Sequence, residues 1–234
     1  MGFQALATTS GGFAATLGRL DGTVTREEAI RHGAAIVQAV DVPVSADLEH
    51  GFGDEPAALV ETIEAAIAAG LAGCSLEDST GRSDDPIYDA GLARERIAAA
   101  AESAHRGPVS LVLTARSENY LHGRADLADT IKRLQSFQEA GADVLYAPGV
   151  TKLDELRTLV TSVDRPVNVL ALPGVPTVSE LGAIGVARIS VGGAFAFTAL
   201  GALVEASREV LDHGTYGFWH LAGTGRKAAG TAFR

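Results

Sequence analysis

A chain of 234 residues and 24.1 kDa, 47% hydrophobic and 21% charged, can bury one sizeable core, about 70–75% of its unfolded surface, which leaves little room for two full domains. Nineteen Lys plus Arg against 29 Asp plus Glu give a net charge of −10, and an acidic balance without a basic cluster argues against nucleic acid and membrane surfaces as partners. Cys74, the one cysteine, excludes an intramolecular disulfide and any site built from several thiolates. No apolar run approaches the ~18 residues of a spanning helix and no signal-peptide pattern opens the chain, so a soluble, cytoplasmic protein is expected.

Along the chain, short β-rich runs alternate with amphipathic segments that end in glycine. Strands are expected at Phe3–Ala7, Val42–Leu48, Gly73–Leu76, Ser110–Ala115, Asp143–Tyr146, Val167–Leu172 and Arg188–Val191. Several are apolar almost throughout, as parallel strands buried on both faces are. Between them, Thr25-x-x-Glu28 reads as a capping box opening a helix toward Val40. Pro56 suits a first helical position, and Leu59, Ile63 and Ile67 recur at four-residue spacing until Gly70. Leu127, Ile131, Leu134 and Phe137 repeat the pattern before Gly141; Leu153, Leu156 and Leu159 follow Pro148-Gly149, and Val178, Leu181 and Ile184 precede Gly185. Seven βα units at roughly 30-residue spacing predict an α/β fold, a (β/α)8 TIM-type barrel rather than an open doubly wound sheet. Seven is one short: the chain opens almost directly on a strand, so the barrel would lack its first strand or close in another way. One domain is expected over 1–234, with a helical extension from about residue 194.

In such a barrel the carboxyl ends of the strands share one mouth. Those ends carry Thr9-Ser10-Gly11-Gly12, Asp47-x-Glu49-x-Gly51-x-Gly53, Glu77-Asp78, Arg116-x-Glu118, Tyr146-x-Pro148-Gly149, Pro173 and Gly192-Gly193. Several carboxylates without a histidine or thiolate make a hard oxygen site, suited to Mg²⁺ or Mn²⁺ rather than zinc. Acids at strand ends also cap helices, but Asp47, Glu49 and Glu77 on consecutive strands favour a shared site over three separate caps. Arg116 can pair with Glu77 or Glu118, or grip a substrate carboxylate with its planar fork. Ser10-Gly11-Gly12 could offer N–H groups and a hydroxyl to an anion, and Gly192-Gly193 lies where barrels often take phosphate. His50 reads as a solvated loop residue, His32 as a surface position and Cys74 as packed core.

With these residues in view, the chain resembles the isocitrate lyase / phosphoenolpyruvate mutase superfamily from Phe3 to about Gly193. Gly2–Gly18 is similar to that family's second strand and substrate-carboxylate loop. Ser45–Gly53 (SADLEHGFG) resembles its D-x-D-x-G-[YF]-G motif with Glu49 at the second acid, Leu76–Ser79 its E-D motif, and Thr114–Glu118 its A-R-x-[ED]. The resemblance implies Asp47 as inner metal ligand, with Asp21, Glu49 and Glu77 acting mostly through waters. It places Arg116 beside the substrate and a carboxylate on Ser10, Gly11 and Gly12. It also implies a homo-oligomer, tetramer or dimer, whose C-terminal helices pack on or swap between subunits; apolar Phe195, Phe197, Leu200 and Leu203 suit that. The departures bear on the reaction. Where the isocitrate-type lyases carry K-[KR]-C-G-H, this chain has Ser79-Thr80-Gly81-Arg82-Ser83-Asp84-Asp85-Pro86, with no cysteine, histidine or lysine. The mutases' lysine and asparagine are missing too.

The expected function is a Mg²⁺-dependent enzyme acting on a 2-oxo acid or related small carboxylate through a metal-stabilised enolate. It would cleave a C–C bond, as an oxaloacetate-type decarboxylase or a carboxylic acid lyase, with Arg116, Glu77 and Glu49 as catalytic groups. Decarboxylation needs no strong general acid while the bond breaks, so it suits this loop better. The alternatives are a 2-oxo acid binding protein that has lost its catalytic loop, a phosphonopyruvate or carboxyphosphonate mutase-like C–P enzyme, and an unrelated barrel binding phosphate through Gly192-Gly193.

Overall fold

The computed structural model describes residues 2–232 and divides into two compact units between Gly192 and Gly193. The first alternates strand and helix: β1 (Leu6–Ala7), α1 (Ser10–Thr16), α2 (Arg26–Ala39), β2 (Val44–Asp47), α3 (Pro56–Ala68), β3 (Gly73–Glu77), α4 (Ala90–His105), β4 (Val112–Arg116), α5 (Leu127–Glu139), β5 (Val144–Tyr146), α6 (Leu153–Thr161), β6 (Val167–Leu170), α7 (Val178–Ala183) and β7 (Arg188–Ser190). All seven strands are parallel and lie in chain order. Among the described residues β1 and β7 do not pair, so the sheet is a curled, unclosed TIM-like barrel of seven strands.

Local chemistry sets the element ends as the sequence reading expects. Thr25 and Glu28 form the reciprocal capping box of α2, and Pro56 opens α3. Several elements differ: β2 and β6 are shorter than expected, α4 carries no helix signal singled out above, and the first strand and the segment after it change most. The first strand contracts from Phe3–Ala7 to two residues, because only β2 offers it ladder partners and Phe3 stays exposed. Ser10-Gly11-Gly12 forms the first turn of α1 rather than an open loop, with Thr9 as N-cap.

The period of two along each strand sorts the side chains. Leu76, Cys74, Leu113, Ala115, Leu145 and Val169 are buried under α3–α6 side chains such as Leu59, Ile63, Ile97, Leu134, Phe137 and Leu156. The alternate positions carry polar groups to the opposite, concave face. In register these form one row across five strands: Glu77 pairs with Arg116, Arg116 with Tyr146, Tyr146 with Asn168 and Asn168 with Arg188.

The second unit holds α8 (Ala194–His213) and α9 (Trp219–Ala232). Gly214, at φ 65°, ends α8 in the left-handed conformation that favours glycine. The Glu209 carboxylate then accepts from Thr215 Oγ1 and Gly217 N at 2.6 Å each, which fixes the turn. Neither helix buries a residue.

Candidate active site

Asp47 ends β2 on the concave face and is held from several sides. Its backbone N–H donates to Thr8 Oγ1 at 2.9 Å, while Ser10 donates to Oδ2 through N at 3.3 Å and Oγ at 3.2 Å. Ser75 Oγ and Glu49 N approach Oδ1 at 3.5 and 3.3 Å. The bonds tie the residue after β1, the start of α1 and β3 to this carboxylate or its backbone. Ser10 is thus brought to the acids, with its donors turned to Asp47.

Glu49 follows in the loop after β2 with φ 49°, and Phe52 with φ 62°. A left-handed non-glycine residue carries backbone strain, and an anchor accounts for its persistence. Arg96 of α4, 1% exposed, donates through Nη1 to the carbonyls of Gly53 (2.7 Å) and Asp54 and through Nη2 to that of His50. Its guanidinium lies 4.2 Å from the Tyr88 ring centre. Gly51, at φ 83°, completes the turn; a Cβ there would meet Leu59 Cγ at 2.8 Å. His50, expected in water, is instead half-buried, and burial together with Arg96 holds its pKa low. His32 likewise departs from the surface reading, stacking on Phe13 at 4.0 Å.

Arg116 at the end of β4 is the cationic hub. Its Nε donates to Glu118, and its Nη1 lies 3.3 Å from Glu77 Oε2 and 3.8 Å from Asp47 Oδ1. The guanidinium also lies 5.4 Å from the centre of the Tyr146 ring. Burial alone would lower its pKa, but Glu77, Glu118 and Asp47 outweigh that and raise it, so the group stays charged. Of the two readings of Arg116, the ion pairing with acids is the one seen here.

The acids outnumber the single cation. Burial, then repulsion from Asp47 and Asp21, lifts the Glu49 carboxyl from its ordinary 4.5 to about 7. Burial lifts Glu77 well above the usual range against the pull of Arg116, with Glu118, Asp47 and Glu49 adding to the rise. Asp21 belongs to the same cluster: a Cβ on Gly11 would meet its Oδ2 at 3.0 Å. Asp47, Glu49, Glu77 and Asp21 offer oxygen donors only, the donor chemistry a hard divalent cation takes. Among the described residues no three such side chains are arranged so that they could together hold a metal ion.

Asp78, adjacent to Glu77, is structural. Its Oδ1 accepts from Glu118 N at 2.8 Å and its Oδ2 from Arg133 Nη1 at 3.2 Å, and Arg133 also donates to the Tyr88 carbonyl at 2.9 Å. The segment after β3 is a closed loop: Ser79 bridges Ile87, Thr80 N–H donates to Pro86 O at 2.9 Å, and Thr80 Oγ1 donates to Asp85 O. Arg82 reaches Asp54 at 3.0 Å, bringing this loop to the Glu49 loop. Cys74 is fully buried with its thiol pushed up to about 12, a core residue as expected. The sequence reading missed Arg96, Asn168 and Arg188, although the two β-strand residues announce themselves as polar interruptions in V-N-V-L and A-R-I-S-V.

The family model described as phosphoenolpyruvate phosphomutase matches residues 1–211. The chain belongs to that family, within the phosphoenolpyruvate mutase/isocitrate lyase superfamily. A crystal structure of a lyase/mutase-type protein from Burkholderia cenocepacia J2315 superposes with TM-score 0.90 at 51% identity, covering 93% of this chain and 78% of the other. An uncharacterized Mycobacterium tuberculosis protein is 35% identical over 212 residues, 90% of this chain and 78% of its own length. The oxaloacetate decarboxylase of Chromohalobacter salexigens is 28% identical over 81% of this chain and 66% of its own. The phosphomutase-family match covers all the strands and every acid of the cluster. No described helix is long and apolar enough to cross a membrane.

Proposed function

We propose that the protein is a divalent-metal-dependent enzyme of 2-oxo acids that cleaves a C–C bond, with decarboxylation of an oxaloacetate-type acid the favoured reaction. The observation that carries this is the convergence of Asp47, Glu77 and Arg116 at adjacent strand ends, Arg116 Nη1 lying 3.3 Å from one acid and 3.8 Å from the other. Mg²⁺ or Mn²⁺ would be held by Asp47 directly and by Asp21, Glu49 and Glu77 mostly through water. Bound there, the cation supplies the Lewis acidity that draws electrons toward the keto oxygen of a 2-oxo acid.

The chain's own groups do the rest. Ser10 and Thr8 hold Asp47 in place, and Glu118 and Glu77 fix the plane of the Arg116 fork, so positioning costs little when substrate enters. Arg116, charged at any working pH, stabilises negative charge developing beside it. The first turn of α1, with Gly11 and Gly12, offers backbone N–H groups to the substrate carboxylate. The loop after β3 holds only Arg82, Asp84 and Asp85 as acid/base candidates, and Arg82 is turned to Asp54. Bond breaking without a general acid matches that loop, which favours decarboxylation over lyase chemistry.

The test is pyruvate release from oxaloacetate and from 2-hydroxy diacids, with Mg²⁺ and with EDTA. Metal-dependent pyruvate from oxaloacetate, reduced at least ~10²-fold in Asp47→Asn, is the expected result. Full activity in Asp47→Asn or in EDTA overturns the assignment. The same closed loop favours a second reading, a binding protein that takes 2-oxo acids without turning them over; calorimetric binding with no product would select it. We further propose that α8 supplies a contact between copies of the chain in a homo-oligomer, since Phe197, Leu200, Val204 and Leu211 are exposed at helical spacing.

A further inference from the structure

Arg188 opens β7 at the far end of the concave row that begins with Glu77 and Arg116. Its Nε donates to Asn168 Oδ1 at 2.9 Å, and Asn168, 1% exposed, donates onward through Nδ2 to Ser190 Oγ at 3.0 Å. Tyr146 lies between the two arginines in the row: its ring faces Arg116 and its hydroxyl is hydrogen-bonded with Ser190. The protein groups gathered at Arg188 are therefore neutral: an amide, a hydroxyl and a phenol.

Other buried guanidiniums here are compensated differently. Arg116 has three acids and Arg133 has Asp78 and Asp129. Arg96 fills its donors with three carbonyls. Arg188 is half-buried, makes one hydrogen bond to an amide oxygen, and pairs with no carboxylate among the described residues. A guanidinium partly withdrawn from water without a counter-ion gains from an anion placed beside it. Asn168 fixes the fork through Nε and leaves both Nη groups to donate, the arrangement that a carboxylate accepts in bidentate fashion.

We infer that Arg188 is the second anion-binding residue of the pocket and takes the distal carboxylate of a dicarboxylic 2-oxo or 2-hydroxy acid. The first carboxylate and the keto or hydroxy oxygen lie at the Asp47–Arg116 end, so this rests on the function proposed above. Arg188 then sets specificity: it selects a four-carbon diacid over its three-carbon monoacid counterpart. Tyr146, Asn168 and Ser190 position the guanidinium.

Malate and lactate differ by this one carboxylate. Calorimetric titration of the Mg²⁺-loaded full chain should show malate binding at least about tenfold tighter than lactate. Arg188→Met should remove that preference by weakening malate and leaving lactate within about twofold, with Arg188→Lys intermediate. Equal affinity of the unmodified protein for the two acids overturns the inference without needing any variant. An equal loss of both acids in an Arg188→Met chain that melts like the parent overturns it as well. Absence of binding by either acid also overturns the inference, while the 2-oxo acid reading stands or falls separately on metal-dependent pyruvate release from oxaloacetate.

Discussion

Glu49 combines a left-handed backbone with a carboxyl raised to about 7 by burial and neighbouring acids. Its folded pKa lies above the ordinary 4.5, so between these values the folded state holds a proton that the unfolded state releases. Without metal, stability should therefore rise as pH falls from about 7 toward 4.5, and fall as pH rises through 7. Chemical denaturation across this range should show that slope, and Glu49→Gln should reduce it, with the raised carboxyls of Glu77 and Asp78 supplying the remainder. A divalent cation neutralises the ionised form, so Mg²⁺ should stabilise the parent protein more at pH 8 than at pH 5. Gly11 tests Asp21 from the opposite side. A methyl there presses on the Asp21 carboxylate at 3.0 Å, a side-chain end that can move cheaply. Gly11→Ala should melt within a few degrees of the parent yet bind Mn²⁺ severalfold more weakly by calorimetry. Unchanged Mn²⁺ affinity would remove Asp21 from the metal set.

At the scale of the elements, the loop after β2 owes its shape to a helix distant in sequence. Arg96 reaches from α4 to three carbonyls of His50, Gly53 and Asp54, and packs against Tyr88, which donates to Asp54 at 2.5 Å. Arg96→Met would leave buried carbonyls without donors, at a cost of about 3 kcal/mol or more. For a chain of this length that lowers the melting temperature by roughly 6–12 °C. Methionine keeps the unbranched apolar stem, so a loss much below 1 kcal/mol would show that water replaces the guanidinium. Such a clamp was not readable from the sequence, because an arginine on an alanine-rich helix carries no sign of which carbonyls it will meet. The capping box at Thr25 and the proline at 56 were readable, since each acts on neighbours within four residues.

Across the whole molecule, the sequence pattern yielded the seven strands, their parallel order and the collection of Asp47, Glu49, Glu77 and Arg116 at one end. Apolar strand runs and the barrel's common mouth are enough for that. The row Glu77–Arg116–Tyr146–Asn168–Arg188 was not legible, because it depends on the register between strands, which spacing along the chain does not fix. The C-terminal unit raises the remaining question of scale. α8 presents Phe197 at 51%, Leu200 at 46% and Leu211 at 82% exposure, a density of apolar side chains that soluble monomers seldom leave in water. Burial against a second copy makes stability depend on protomer concentration. Light scattering should therefore report a dimer or tetramer, and the melting temperature should climb with protein concentration. Leu200→Glu placed in that stripe should shift the species toward monomer while the far-ultraviolet dichroism of the barrel persists. A parent chain that scatters as a monomer at all concentrations, with Leu200→Glu unchanged from it, would show that α8 faces no second copy.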